Sequence, residues 1–206
     1  MSIKPIETIY NGYRFRSRLE ARWAVFFDAA MIEYIYEPEG FDLDGEYYLP
    51  DFYLPQFSLF VEIKPFNKDV VHYVGDGNEW EKKCCKFRDI TEQPILLCYS
   101  DPYASLFCRL FAYDCTDSSV GICDLDCMFA EFNNKIVLVT YSEREDCSIC
   151  INPCMIHSNR IGTSYEFTGN DSLWEKAFFP ENWENNGLAM ARIKARQARF
   201  EHGECG

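Results

Sequence analysis

Apolar side chains recur between residues 17 and 30 at the spacing of a helix, with Leu19, Trp23, Phe26, Phe27 and Ala30 falling on one face. A helix is therefore expected to start near Ser17. Ahead of it, Thr8–Tyr10 reads as a short strand closed by Asn11-Gly12, a dipeptide suited to a tight turn. After it, Glu33–Tyr36 is strand-like and Glu37-Pro38-Glu39-Gly40 is a turn. The pattern then changes to a period of two. Glu46–Leu49 runs into Pro50-Asp51-Phe52, and Ser58–Lys64 returns after Leu54-Pro55-Gln56, which predicts a hairpin. A helix over Glu79–Thr91, an apolar strand at Pro94–Tyr99, a β-branched strand at Lys135–Tyr141 and a helix over Gly187–Phe200 complete the reading.

Helix, three strands, helix, strand is the order of an α/β domain with a mixed central sheet flanked by helices. The expected organisation is a core over residues 1–110, a small cysteine-containing β module over 111–170 and a helical extension over 171–206.

A composition of 48% apolar and 17% aromatic residues supports a folded chain and argues against disorder. No stretch approaches the roughly 20 apolar residues of a membrane span, so no membrane partner is expected. The opening MSIKPIETIYNGYRFRSR lacks an apolar signal core, which predicts a cytoplasmic protein. Without such a signal, the 11 cysteines, none before Cys84, are not read as a secreted disulfide framework. Reduced thiols are one reading. A structural zinc is the other, carried by Cys147-x-x-Cys150-x-x-x-Cys154-x-x-His157, although that spacing is tighter than a standard finger.

The net charge of −13 weighs against a phosphate-bearing partner, because affinity for phosphates comes from Lys and Arg. The charge is unevenly spread. Residues 1–30 carry five basic and three acidic side chains and residues 189–206 carry four and two, leaving 11 basic and 28 acidic ones between. A basic groove on an acidic chain is compatible with that distribution. Arg16, Arg18 and Arg22 near the first helix, and Arg192, Arg196 and Arg199 on one face of the last, are the candidate nucleic-acid contacts. Solvated surface arginines are the competing reading.

Candidate chemistry lies in Ser58–Lys64. Side chains alternate along a strand, so Leu59, Val61 and Ile63 take one face and Phe60, Glu62 and Lys64 the other. The hairpin can bring Asp51 beside Glu62, placing two carboxylates and a lysine together. Mg²⁺ prefers oxygen ligands and is held by one or two carboxylates with water and substrate phosphate. A neighbouring lysine can serve the attacking water.

Pro50-Asp51, an eleven-residue step and then Glu62-Ile63-Lys64 resembles the signature of the PD-(D/E)XK (restriction-endonuclease-like) nuclease superfamily. Phe15-Arg16-Ser17-Arg18-Leu19-Glu20-Ala21-Arg22-Trp23 resembles the opening helix of its small phage and bacterial members. The resemblance covers about 100 residues and implies an αβββαβ core, a Mg²⁺ or Mn²⁺ cofactor and DNA as the partner. It further implies metal ligation by Glu20, Asp51, Glu62 and the carbonyl of Ile63, with Lys64 beside the nucleophile. Ser17-x-x-Glu20 is also a capping box, which would tie Glu20 to the helix start. Yet Glu20 lies about 20° around the helix from Phe27 and so borders the buried stripe.

The function expected is Mg²⁺-dependent cleavage of phosphodiester bonds in DNA, with pairing of two copies left open. The alternative is a catalytically silent protein of the same fold. An acidic phage protein of that kind would sequester a host DNA-binding factor by offering carboxylates in place of phosphates.

Overall fold

A computed structural model describes residues 5–65, 78–103, 108–113, 122–132, 135–141, 155–158 and 187–200. Twelve strands and three α-helices lie within them. Strands β1 (Thr8–Tyr10) and β2 (Tyr13–Phe15) form a hairpin. Its turn residues Asn11 and Gly12 both have positive φ, 47° and 82°, the twist a two-residue hairpin turn requires. Helix α1 spans Arg18–Ala29. Ser17 caps it by accepting the Glu20 N–H at its Oγ, 3.2 Å away.

After β3 (Ile35–Tyr36), strands β4 (Phe41–Leu43) and β5 (Glu46–Tyr48) pair only with each other, through a turn at Asp44-Gly45. The expected hairpin partner of the catalytic-looking strand is thus not Glu46–Leu49. That role falls to β6 (Phe52–Leu54), which a one-turn 3₁₀ helix at Pro55–Phe57 joins to β7 (Leu59–Lys64). Asn78 and Glu81 form a reciprocal capping box at the start of helix α2 (Glu79–Thr91), which leads into β8 (Ile95–Tyr99). Next come β9 (Cys108–Tyr113), β10 (Ile122–Phe132), β11 (Lys135–Tyr141), β12 (Met155–Ser158) and helix α3 (Gly187–Gln197).

Eight strands make one mixed sheet in the order β12-β11-β10-β9-β8-β7-β6-β3. The chain runs antiparallel from β3 through β6 to β7, and then parallel from β7 to β8. A parallel pair needs a crossover, and α2 lies in the connection between those strands. Strands β10, β11 and β12, from the region expected to be a separate cysteine-containing module, continue this same sheet. The protein is therefore mixed α/β. Among the described residues no helix is long and apolar enough to cross a membrane.

Both faces of the sheet are covered. On one, α1 and α3 contribute Trp23, Phe26, Phe27, Leu188 and Ala195 to a core shared with Val61, Ile63 and Leu96. On the other, Cys84 and Phe87 of α2 pack with Phe60, Ile95, Leu97 and Phe111. The alternation expected along β7 is present, but with both faces buried Glu62 sits inside the protein rather than at an exposed sheet edge. Cys84, Cys85, Cys98, Cys108 and Cys127 carry reduced sulfurs rather than disulfides. Three of them stand opposite one another on β8, β9 and β10.

Phe27 ties the layers together, with ring centroids 5.4 Å from Phe52 and 6.1 Å from Phe129. Replacing Phe27 with Ala is expected to cost about 3–5 kcal/mol in chemical denaturation. Replacing the exposed Met190 should shift stability by no more than about 0.5 kcal/mol.

Candidate active site

β6 and β7 are paired with Phe52 opposite Val61. Continuing that register by one position sets Asp51, immediately before β6, against Glu62. Asp51 is thus at the entrance of its strand, not at the end of the preceding one. Pro50, which lacks an N–H, separates it from the β4–β5 hairpin. The Ile63 N–H donates to Asp51 Oδ2 at 2.7 Å, locking the carboxylate onto the end of β7. Asp51 Oδ1 accepts from Arg16 Nη2 at 2.6 Å, and Arg16 Nε reaches Glu37 Oε1 at 2.7 Å.

Glu62 Oε2 accepts from the Tyr48 hydroxyl at 2.8 Å, and its other oxygen pairs with Lys64 Nζ. The lysine ammonium also lies 4.1 Å from the centroid of the Trp80 ring. Burial, and after it Glu62, holds the Tyr48 hydroxyl well above the ordinary tyrosine range, so it remains a donor at neutral pH.

Asp51 and Glu62 are 2% and 3% exposed. Burial pushes the Asp51 carboxyl well above its usual range, and Glu62 and Glu20 push the same way. Lys64 and the Ile63 N–H oppose them. Burial works against the charge on Arg16, but Asp51, with Tyr36, Glu20 and Glu37, holds its pKa above the ordinary value.

Glu20 is buried nearby with both oxygens engaged. Oε1 accepts from Ser17 Oγ at 2.7 Å, while Oε2 accepts from the Tyr36 hydroxyl at 2.7 Å and the Arg16 N–H at 3.1 Å. The capping geometry and the closeness to Asp51 are therefore both present. Glu20 fastens the Arg16 backbone whose side chain grips Asp51.

The other expected contacts separate into groups. Arg192 is buried and donates to the Phe129 carbonyl at 3.2 Å, and burial lowers its pKa to about 10. Arg18, Arg22, Arg196 and Arg199 line one cleft. Of the residues expected to hold zinc, Cys147, Cys150 and Cys154 lie outside the described residues. His157 is on β12, opposite Thr140. Tyr36, Tyr48 and Trp80 are site neighbours that sequence reasoning missed. Tyr48 reads as packing, and its ring does pack at 5.6 Å from that of Phe87, but no periodicity reveals where its hydroxyl goes.

Among the described residues no group of three or more His, Cys, Asp and Glu side chains is arranged to hold a metal ion. Magnesium, however, is held by one or two carboxylates and keeps several waters. The all-oxygen pair Asp51 and Glu62 fits that requirement, with Arg16 and Lys64 seated on its two carboxylates. No family model, curated protein or solved structure matches this chain.

The raised Asp51 pKa has a definite sign. A carboxyl of this kind costs no stability while protonated, and the cost grows as pH climbs from about 3.9 through the raised folded value. Without divalent cations, Asp51→Asn should melt no lower than the parent chain at about pH 7. Millimolar Mg²⁺ should raise the parent melting temperature, more at about pH 8 than at about pH 6, and should leave Asp51→Asn unmoved. Differential scanning fluorimetry checks this, and equal Mg²⁺ shifts in both proteins would remove Asp51 from the ligand set.

Proposed function

We propose that this chain is a metal-dependent nuclease that hydrolyses phosphodiester bonds in DNA. The observation carrying this reading is the side-by-side burial of Asp51 and Glu62 at the end of β7, with Lys64 on the same strand face. Support also comes from topology: a capped helix, three antiparallel strands, a crossover helix and a parallel strand follow the αβββαβ order of the restriction-endonuclease-like core. The β4–β5 hairpin is then an insertion between the first and second core strands.

In this reading Asp51 and Glu62, with the Ile63 carbonyl, hold a Mg²⁺ or Mn²⁺ ion. When bound, the ion supplies Lewis acidity toward a phosphate oxygen and a lowered pKa for a coordinated water. Arg16 and Lys64, which pair with the two carboxylates here, are then freed to face phosphate charge. Lys64 orients the attacking water and takes part in its deprotonation. Tyr48 keeps Glu62 in place. Glu20 acts as a positioning residue through Arg16 and Tyr36, and can approach the metal only by giving up those donors.

The test is cleavage of single-stranded, duplex and branched DNA with Mg²⁺ or Mn²⁺, against an EDTA control. Lys64→Ala should lower the rate by about 10²–10⁴-fold, and Asp51→Asn and Glu62→Gln should abolish it, with circular dichroism showing each variant folded although Lys64→Ala, which leaves buried Glu62 without its cation, melts lower. Cleavage that survives all three substitutions would refute the assignment.

A second reading draws on the charge of −13 and on the protein cations already seated on both carboxylates. A catalytically silent chain of this fold could offer acidic groups to a host DNA-binding protein. Absence of cutting with either metal, together with tight binding to such a protein, would favour it.

A further inference from the structure

Arg18 and Arg22 stand four residues apart on α1, which puts them on one helix face. Arg196 near the end of α3 and Arg199 beyond it approach from the other side, and all four line a cleft of about 630 Å³ with Tyr103 and Phe200. Four guanidiniums around one space repel one another, and a chain this rich in carboxylates could have interleaved them. Asp101, 3.9 Å from Arg22, supplies one opposing charge. The Nε atoms of both Arg18 and Arg22 are buried and meet no hydrogen-bond acceptor among the described residues. Those two atoms face the protein, so what Arg18 and Arg22 offer the cleft is the outer ends of their guanidiniums, and the Arg22 side chain is 36% exposed. The Arg196 guanidinium lies 4.1 Å from the centroid of the Tyr103 ring, and this stacking steadies its fork.

We propose that this cleft binds a backbone phosphate of a nucleic-acid strand, without a metal ion and apart from the carboxylate pair. Guanidinium forks match the paired oxygens of a phosphate. The cleft has room for more than one such group, and the partly exposed Tyr103 ring, with one face under Arg196, adds aromatic surface of the kind on which a base stacks. That mixture favours a nucleotide strand over a phosphorylated protein side chain or a lipid headgroup. Position favours it too. The Ser100 N–H donates to the Lys64 carbonyl at 2.9 Å, and the Ser100 carbonyl accepts from Trp23 Nε1 at 3.0 Å. The end of β7 is thereby tied to the helix that carries Arg22. A strand seated in the cleft lies at the same end of the sheet as Asp51 and Glu62. The choice of nucleic acid as ligand rests on the nuclease reading, but the anion site does not.

Fluorescence anisotropy with labelled single-stranded and duplex DNA tests the proposal, using the full chain in EDTA over a range of salt concentrations. Arg196→Ala and Arg199→Ala are expected to weaken binding about five- to tenfold each, and each should reduce the salt slope by roughly 0.7–0.9. Lys86→Ala, on α2 against the other face of the sheet, should leave binding unchanged. Inorganic pyrophosphate should displace DNA from the parent chain and raise its melting temperature, a readout that needs no variant. Equal affinities for parent, Arg196→Ala and Arg199→Ala would overturn the proposal. So would capture by anionic phospholipid vesicles or a phosphopeptide with no retention of DNA. Because no metal is present, the outcome is independent of cleavage. Cutting with an inert cleft would leave the nuclease reading standing, and a binding cleft without cutting would leave the anion site standing.

Discussion

Two carboxyl groups withdrawn from water at the same end of one strand repel each other, and much of the surrounding architecture answers that repulsion. Asp51 receives the Ile63 N–H and the Arg16 guanidinium, while Glu62 receives the Tyr48 hydroxyl and the Lys64 ammonium. Each of these partners is secured in turn. Arg16 is held by Glu37 through its side chain and by Glu20 and Tyr36 through its backbone, and Lys64 rests over Trp80. Removing one member of such a network leaves another buried polar group unsatisfied, which costs more than the lost hydrogen bond alone.

The two faces of the sheet divide this work. Glu62 and Lys64 share the face that α2 covers, whereas Arg16 and Glu20 come from the loop and first turn of α1 on the opposite side. Asp51, at the mouth of β6, is the point where the two sets meet. The overall charge says little about this neighbourhood. A protein can be strongly acidic in sum and still gather four arginines around one cleft, because fields near a surface depend on placement and fall away within about 10 Å in salt.

Regular elements were legible wherever a hydrophobic period ran long enough to overcome local ambiguity. The stripe Leu19, Trp23, Phe26, Phe27, Ala30 locates α1, and the capping residue Ser17 marks its start. Glu79–Thr91 and Lys135–Tyr141 agree with the structure at both ends. The hairpin departs from its expected pairing for a local reason. Asp44-Gly45 closes a two-residue turn, so Glu46–Tyr48 pairs back on Phe41–Leu43 and leaves Phe52–Leu54 to meet β7. Within the site, Asp51, Glu62 and Lys64 could be singled out because alternation and spacing put them together. Arg16 resembled its neighbours Arg14 and Arg18 in the linear text. Only tertiary placement gives it Asp51, gives Arg14 the surface residue Glu7, and turns Arg18 toward the cleft.

The bond from the Trp23 indole to the Ser100 carbonyl joins positions 77 residues apart. Closing so long a loop is entropically unfavourable until the intervening strands have paired. During synthesis, then, the ribosome releases Asp51 and Glu62 well before β8 can flank β7 and seal the pocket. Until that strand docks, the β6–β7 hairpin can already set Asp51 against Glu62, but the other edge of β7 stays open to water. Strands β9 to β12 and helix α3 follow β8 in the chain, so a translation product truncated after β7 would carry both acidic residues without the layers that bury them.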